Sequence, residues 1–89
     1  MGEILKYNGF KIFINSNEHY PPHVHIYDLN SGIRTRIRID NGEYLEGDDH
    51  LRAGYSKIKK LILKELKDKC INEWNRLNPE LPYKEGVEY

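Results

Sequence analysis

His23-Val24-His25-Ile26-Tyr27 and, beyond the loop at 28–32, Ile33-Arg34-Thr35-Arg36-Ile37-Arg38-Ile39 are the two stretches on which the fold turns. Both alternate with a period of two, the period of a strand whose successive side chains point to opposite faces. In the first, Val24 and Ile26 share one face, and His23, His25 and Tyr27 share the other. In the second, Ile33, Ile37 and Ile39 fall on one face with Thr35, and Arg34, Arg36 and Arg38 on the opposite one. The intervening Asp28 to Gly32 is hairpin chemistry, so the two strands pair antiparallel.

Outward from this pair, Pro21-Pro22 cannot donate ladder hydrogen bonds and sits before a strand rather than within one. Asn15-Ser16-Asn17 is a turn, and Phe10-Lys11-Ile12-Phe13-Ile14 is an earlier strand whose apolar face carries Phe10, Ile12 and Ile14. On the other side, Asp40-Asn41-Gly42 closes a tight turn, for which Asn-Gly is a strong signal. Glu43 to Glu46 then makes a short fourth strand. Gly47-Asp48-Asp49 leads into a helix that either Asp can cap. Tyr55, Ile58, Ile62, Leu66, Cys70, Trp74 and Leu77 recur at spacings of three and four, a long amphipathic stripe. Gly54 weakens the first turn, which leaves the helix start open between about residue 50 and Tyr55; Asn78-Pro79 ends the helix. The expected class is α+β: an antiparallel three- to four-stranded meander over about residues 9–46, packed against one long C-terminal helix over about residues 50–77. A partly ordered tail at 78–89 completes a single domain, 1–89.

Eighty-nine residues of which 38% are apolar give a thin core, in which the aromatic side chains carry much of the buried area. Lys plus Arg equals Asp plus Glu at 14 each, so the global field points to neither nucleic acid nor membrane. The single cysteine, Cys70, allows no intrachain disulfide and fits a reducing compartment. With no long apolar run and no signal-peptide pattern at the N-terminus, a cytoplasmic location and no membrane partner are expected.

A sheet face bearing His23, His25, Tyr27, Arg34, Arg36 and Arg38 is unusual for a solvated surface. Its natural ligand is an anion, above all a phosphate, because guanidinium binds phosphate oxygens in bidentate fashion. Two other readings stand beside it. In one, the Pro-Pro turn and the histidines are structural. In the other, His19, His23 and His25 are metal ligands, completed by Glu18, Asp48, Asp49 or His50. The spacing H-x-x-x-H-x-H is a weak metal signal, so no metal and no cofactor are assigned. His19, His23 and His25 are also candidate acid-base catalysts for phosphodiester cleavage. Cys70 and Trp74 lie on the apolar stripe and belong to the core. Lys57, Lys60, Lys64 and Lys67 form a ridge opposite it, either a solvated helix face or a surface for nucleic acid or a partner. Ile71 lies on that ridge and is expected to be exposed.

The run Asn17-Glu18-His19-x-Pro21-Pro22-His23-Val24-His25-Ile26, followed by Gly42-Glu43-x-Leu45-Glu46-Gly47 and by Glu73-Trp74-Asn75, resembles the small bacterial proteins of the domain-of-unknown-function family 4160. The resemblance covers roughly residues 9–77, with P-P-H-V-H its most specific part. It departs at Gly47-Asp48-Asp49-His50, where members often carry Leu-Pro after the Asp. It implies a bacterial or prophage protein of a toxin–antitoxin-like two-gene module, with a small protein partner encoded nearby, and no catalytic residues to transfer.

The expected function is therefore regulatory or interaction-based, in a toxin–antitoxin-like or phage-defence module, with the His/Arg face taking an anionic ligand, nucleotide or nucleic acid. One alternative is a His-dependent phosphodiesterase or ribonuclease, metal-assisted or not. Another is a phage-borne protein that sequesters a nucleotide signal and so inhibits defence. Binding is preferred to catalysis, and a homo-oligomer stays open.

Overall fold

Asn8 and Gly9 both take the left-handed backbone region, with φ of 45° and 82°. They make a two-residue hairpin turn between a first strand, Gly2–Tyr7 (β1), and Phe10–Ile14 (β2). The computed structural model describes residues 2–45 and 54–89. After β2 come His23–Asp28 (β3) and Arg34–Arg38 (β4), and the sheet order is β1-β2-β3-β4, antiparallel throughout. The four-stranded meander is thus present, but its additional strand is β1, on the edge opposite the one expected. After the Asn41-Gly42 turn the described residues form a single bridge, Tyr44 to Ile37, flanked by hydrogen bonds from the Arg38 amide to the Glu43 carbonyl and from the Leu45 amide to the Arg36 carbonyl. Leu45 is already buried in the core. Glu46 lies outside the described residues, as do the capping candidates Asp48 and Asp49.

β1 carries a bulge. Glu3 pairs with Phe13 and Leu5 with Ile12, leaving Ile4 as the extra residue. Its side chain is in the core, and its carbonyl accepts a hydrogen bond from Lys69 Nζ at 2.8 Å.

The single long helix does not form. The chain makes a short helix, Tyr55–Lys60 (α1), a π-helical turn over Leu61–Glu65, and a longer helix, Lys67–Leu77 (α2). At the junction the Leu66 amide donates to the Leu61 carbonyl five residues back, at 2.7 Å. The stripe itself explains the break. Ile58, Ile62, Leu66, Cys70 and Trp74 are spaced by four throughout. Four residues of α-helix overshoot a full turn by about 40°, so the stripe would wind away from the sheet. A wider π turn takes back part of that drift. Ile58, Ile62, Cys70 and Trp74 all end fully buried against the sheet face that carries Ile12, Ile14, Val24, Ile26 and Ile37.

The tail after Asn78 packs back on α2 over its first residues. Trp74 Nε1–H donates to the Leu81 carbonyl at 2.6 Å, the Tyr83 amide donates to Asn75 Oδ1 at 2.8 Å, and the Tyr83 ring is buried in the core. Among the described residues no helix is long and apolar enough to cross a membrane.

Candidate functional site

The register between β3 and β4 pairs His23 with Arg38, His25 with Arg36 and Tyr27 with Arg34. The imidazole–phenol row and the guanidinium row therefore meet residue for residue. On the other side of β3, Lys11 pairs with Tyr27 and Phe13 with His25. The Phe13 and His25 rings stack at 5.2 Å, and the Arg34 guanidinium lies over the Tyr27 ring at 4.9 Å. Lys11, Phe13, Asn15, His25, Tyr27 and Arg34 line a depression of about 450 Å³. Lys11 and Phe13 escaped the sequence reading, although the alternation of β2 places both opposite Ile12; that was the available signal.

Two of the six face residues stand elsewhere than expected. Arg38 donates through Nε and Nη2 to the two carboxylate oxygens of Asp40, at 2.9 and 2.7 Å. Burial works against ionising Asp40, but these hydrogen bonds, the Arg38 charge and backbone amides together outweigh it and hold the carboxyl below its usual value. His23 is not on the open face at all: it is fully buried. Alternation fails at this strand end because other parts of the chain cover it. The His23 ring lies 5.4 Å from Trp74, 5.5 Å from His19 and 5.2 Å from His25.

The 15–22 loop supplies the rest of this cluster. The Glu18 amide donates to Asn78 Oδ1 at 2.9 Å, while Asn78 Nδ2 donates to the Asn15 carbonyl at 2.9 Å. Asn78, at the end of α2, thus clamps the loop and aims the Glu18 carboxylate at β3. Glu18 Oε1 lies 2.6 Å from His25 Nε2, and Oε2 lies 3.2 Å from His23 Nε2. The first contact is a hydrogen bond; the second is proximity of charge, since His23 Nε2 makes no hydrogen bond among the described residues. His23 Nδ1 is 2.7 Å from the Pro21 carbonyl, an acceptor only, so Nδ1 carries a proton. Burial lowers the pKa of His23, outweighing both that hydrogen bond and the Glu18 charge. Burial raises that of Glu18, yet its carboxyl ends below the usual value. The His25 hydrogen bond is the largest of the lowering causes, and the neighbouring imidazoles of His23, His25 and His19 add to it.

His19 is exposed. Its Nδ1 lies 2.9 Å from the Tyr20 carbonyl, and its Nε2 is 3.5 Å from Arg36 Nη1. Of the candidate ligands, Glu18, His23 and His25 come together, with ligand atoms that all lie within 4.8 Å of one another. Asp48, Asp49 and His50 lie outside the described residues.

The lysine ridge is shorter than expected. Lys57, Lys60 and Lys64 are exposed, but beyond the π turn Lys67 is half-buried, with Nζ 3.3 Å from Glu85. Ile71 packs in part against the core instead of standing free. Burial pushes the Cys70 thiol up to about 12, as suits an inert core residue.

A family model described as a domain of unknown function, DUF4160, matches residues 9–75. That span contains Glu18, His23, His25 and the whole depression, and leaves out β1. No curated protein and no solved structure matches the chain.

Proposed function

The chain belongs to the DUF4160 family, and from that premise we propose a regulatory binding protein whose open sheet face takes a phosphate-bearing ligand. The observation that carries this reading is the pairing of Tyr27 with Arg34 and Lys11 on its two sides. It surrounds the depression of about 450 Å³ with two cations, an imidazole and two aromatic rings. That volume suits a nucleotide unit, and the mix of apolar walls with a few polar groups is typical of ligand sites. Arg34 is exposed and Lys11 half-buried, so both can turn to phosphate oxygens. A place in a toxin–antitoxin-like or defence module, beside a small protein partner, is part of the same proposal.

The test is calorimetric titration with a mononucleotide and with a short single-stranded RNA, at two salt concentrations. Arg34→Ala and Lys11→Ala are each expected to weaken binding about tenfold or more, the loss of a charged hydrogen bond. The RNA arm loses affinity with salt if successive phosphates are read. Unchanged affinity in both variants sinks the reading. Co-purification with the product of the neighbouring gene tests the partner.

One contact favours a second reading. His25, on the wall of the depression, is hydrogen-bonded to Glu18 at 2.6 Å, the arrangement of a general base with its orienting carboxylate. A His25-dependent phosphodiesterase or ribonuclease predicts RNA cleavage that His25→Ala abolishes; an inactive unmutated protein rejects it.

A further inference from the structure

The hydrogen bond between His25 and Glu18 leaves one thing unexplained. His23 Nε2 is fully buried, has no hydrogen-bond partner among the described residues, and faces a carboxylate oxygen at 3.2 Å. Because Nδ1 donates to the Pro21 carbonyl, the Nε2 of neutral His23 presents a lone pair. A lone pair and a carboxylate oxygen confront one another in a buried place, and buried polar groups left unpaired are costly. A cation between them removes the conflict.

We propose that Glu18, His23 and His25 form a binding site for a divalent first-row transition metal, of which zinc fits the donors best. The three donor atoms are a carboxylate oxygen and two imidazole nitrogens, all within 4.8 Å of one another. Around a tetrahedral ion held at about 2.0–2.1 Å, neighbouring donors stand about 3.3–3.5 Å apart. The 3.2 Å between Glu18 Oε2 and His23 Nε2 is close to that spacing, and Oε1, the other oxygen of the same carboxylate, lies 2.6 Å from His25 Nε2. Two imidazoles with a single carboxylate select against magnesium and calcium, which want oxygen donors.

The surroundings are those of a ligand set held in place. The Nδ1–H of His23 donates to a backbone carbonyl, the usual way a metal-binding histidine is oriented. Asn78 fixes the backbone of Glu18 from the far end of α2. Side-chain exposure rises from 0% at His23 through 13% at Glu18 to 22% at His25. The site is closed at its inner end and open beside His25, where a fourth position is left for water or an incoming anion. This inference does not rest on the anion-binding reading: a metal can bind whether or not Arg34 and Lys11 take a ligand.

The experiment is titration of untagged, chelator-treated protein with Co²⁺, followed by displacement with Zn²⁺. One equivalent of Co²⁺ is expected, with visible absorption bands that Zn²⁺ abolishes. Glu18→Gln and His25→Gln should each weaken Co²⁺ affinity at least tenfold, while His19→Ala, whose nitrogens face Tyr20 and Arg36, keeps it. Binding well below one equivalent, or affinity in both ligand variants equal to that of the unmutated protein, overturns the proposal. So does a loss in His19→Ala as large as theirs. Should a variant fail to fold, nitrogen NMR of the unmutated protein decides. Zn²⁺ must shift Nε2 of His23 and His25, and unmoved resonances overturn the assignment.

Discussion

The imidazole of His23 packs on the indole of Trp74, ring centroids 5.4 Å apart, with both side chains fully buried. A histidine at the start of a sheet strand and a tryptophan near the end of the last helix thereby share one core. Trp74→Ala is expected to cost about 3–5 kcal/mol. His23→Ala is expected to cost about 2 kcal/mol or more, through lost packing and an unpartnered Pro21 carbonyl. Residues in contact do not add, so the double variant should cost measurably less than the sum. Urea unfolding followed by circular dichroism checks this; strict additivity would mean the two rings are independent.

Asn78 is the clamp on the loop that carries Glu18. Asn78→Ala removes one hydrogen bond to the Glu18 amide and one to the Asn15 carbonyl. A loss of about 1–3 kcal/mol is expected, with faster amide exchange at Glu18 and little change at β4. Unaltered exchange at Glu18 would show that other contacts hold the loop.

The Arg38–Asp40 pair predicts an acid limb. The Asp40 carboxyl is held below its ordinary value in the folded state, so its contribution is fully present above the unfolded pKa. It is lost as pH falls through the folded one. Asp40→Asn should lower stability near neutral pH by about 1 kcal/mol and flatten the decline below about pH 4. Thermal melts of both proteins from pH 7 to pH 2 make the comparison; parallel curves contradict it.

Cys70 should ignore thiol reagents. With its pKa pushed up to about 12, the folded protein holds essentially no thiolate at pH 8. Labelling is expected only at the rate of unfolding and should speed up in urea. The same raised pKa means that stability is retained below about pH 9 and falls as pH rises from there toward about 12. Rapid native labelling at pH 8 would place the sulfur outside the core.

The legible part of the fold was the part governed by local stereochemistry. Alternation in His23–Tyr27 and Arg34–Arg38 located β3 and β4, and the helical stripe named the residues that became buried. β1 was missed although Asn8-Gly9 has the same hairpin chemistry as Asn41-Gly42. Leu5 and Lys6 blur its alternation, and the bulge at Ile4 shifts its register. The π turn went unseen because a stripe spaced by four is compatible with one straight helix until the sheet it must cover is known. The cationic face was legible in its chemistry, while Arg38 was spent on Asp40, two residues away.

The sequence by itself determined which side chains alternate, which face is apolar and that histidines and arginines share the other, because a period of two is a property of the backbone alone. Only the tertiary structure decided that His23 is inside and His25 outside. That depends on what covers the strand end, and Trp74, which packs on the His23 ring, comes from the far end of the chain. The same non-local packing turns Glu18 toward the two imidazoles, a convergence held by a hydrogen bond to a residue sixty positions away.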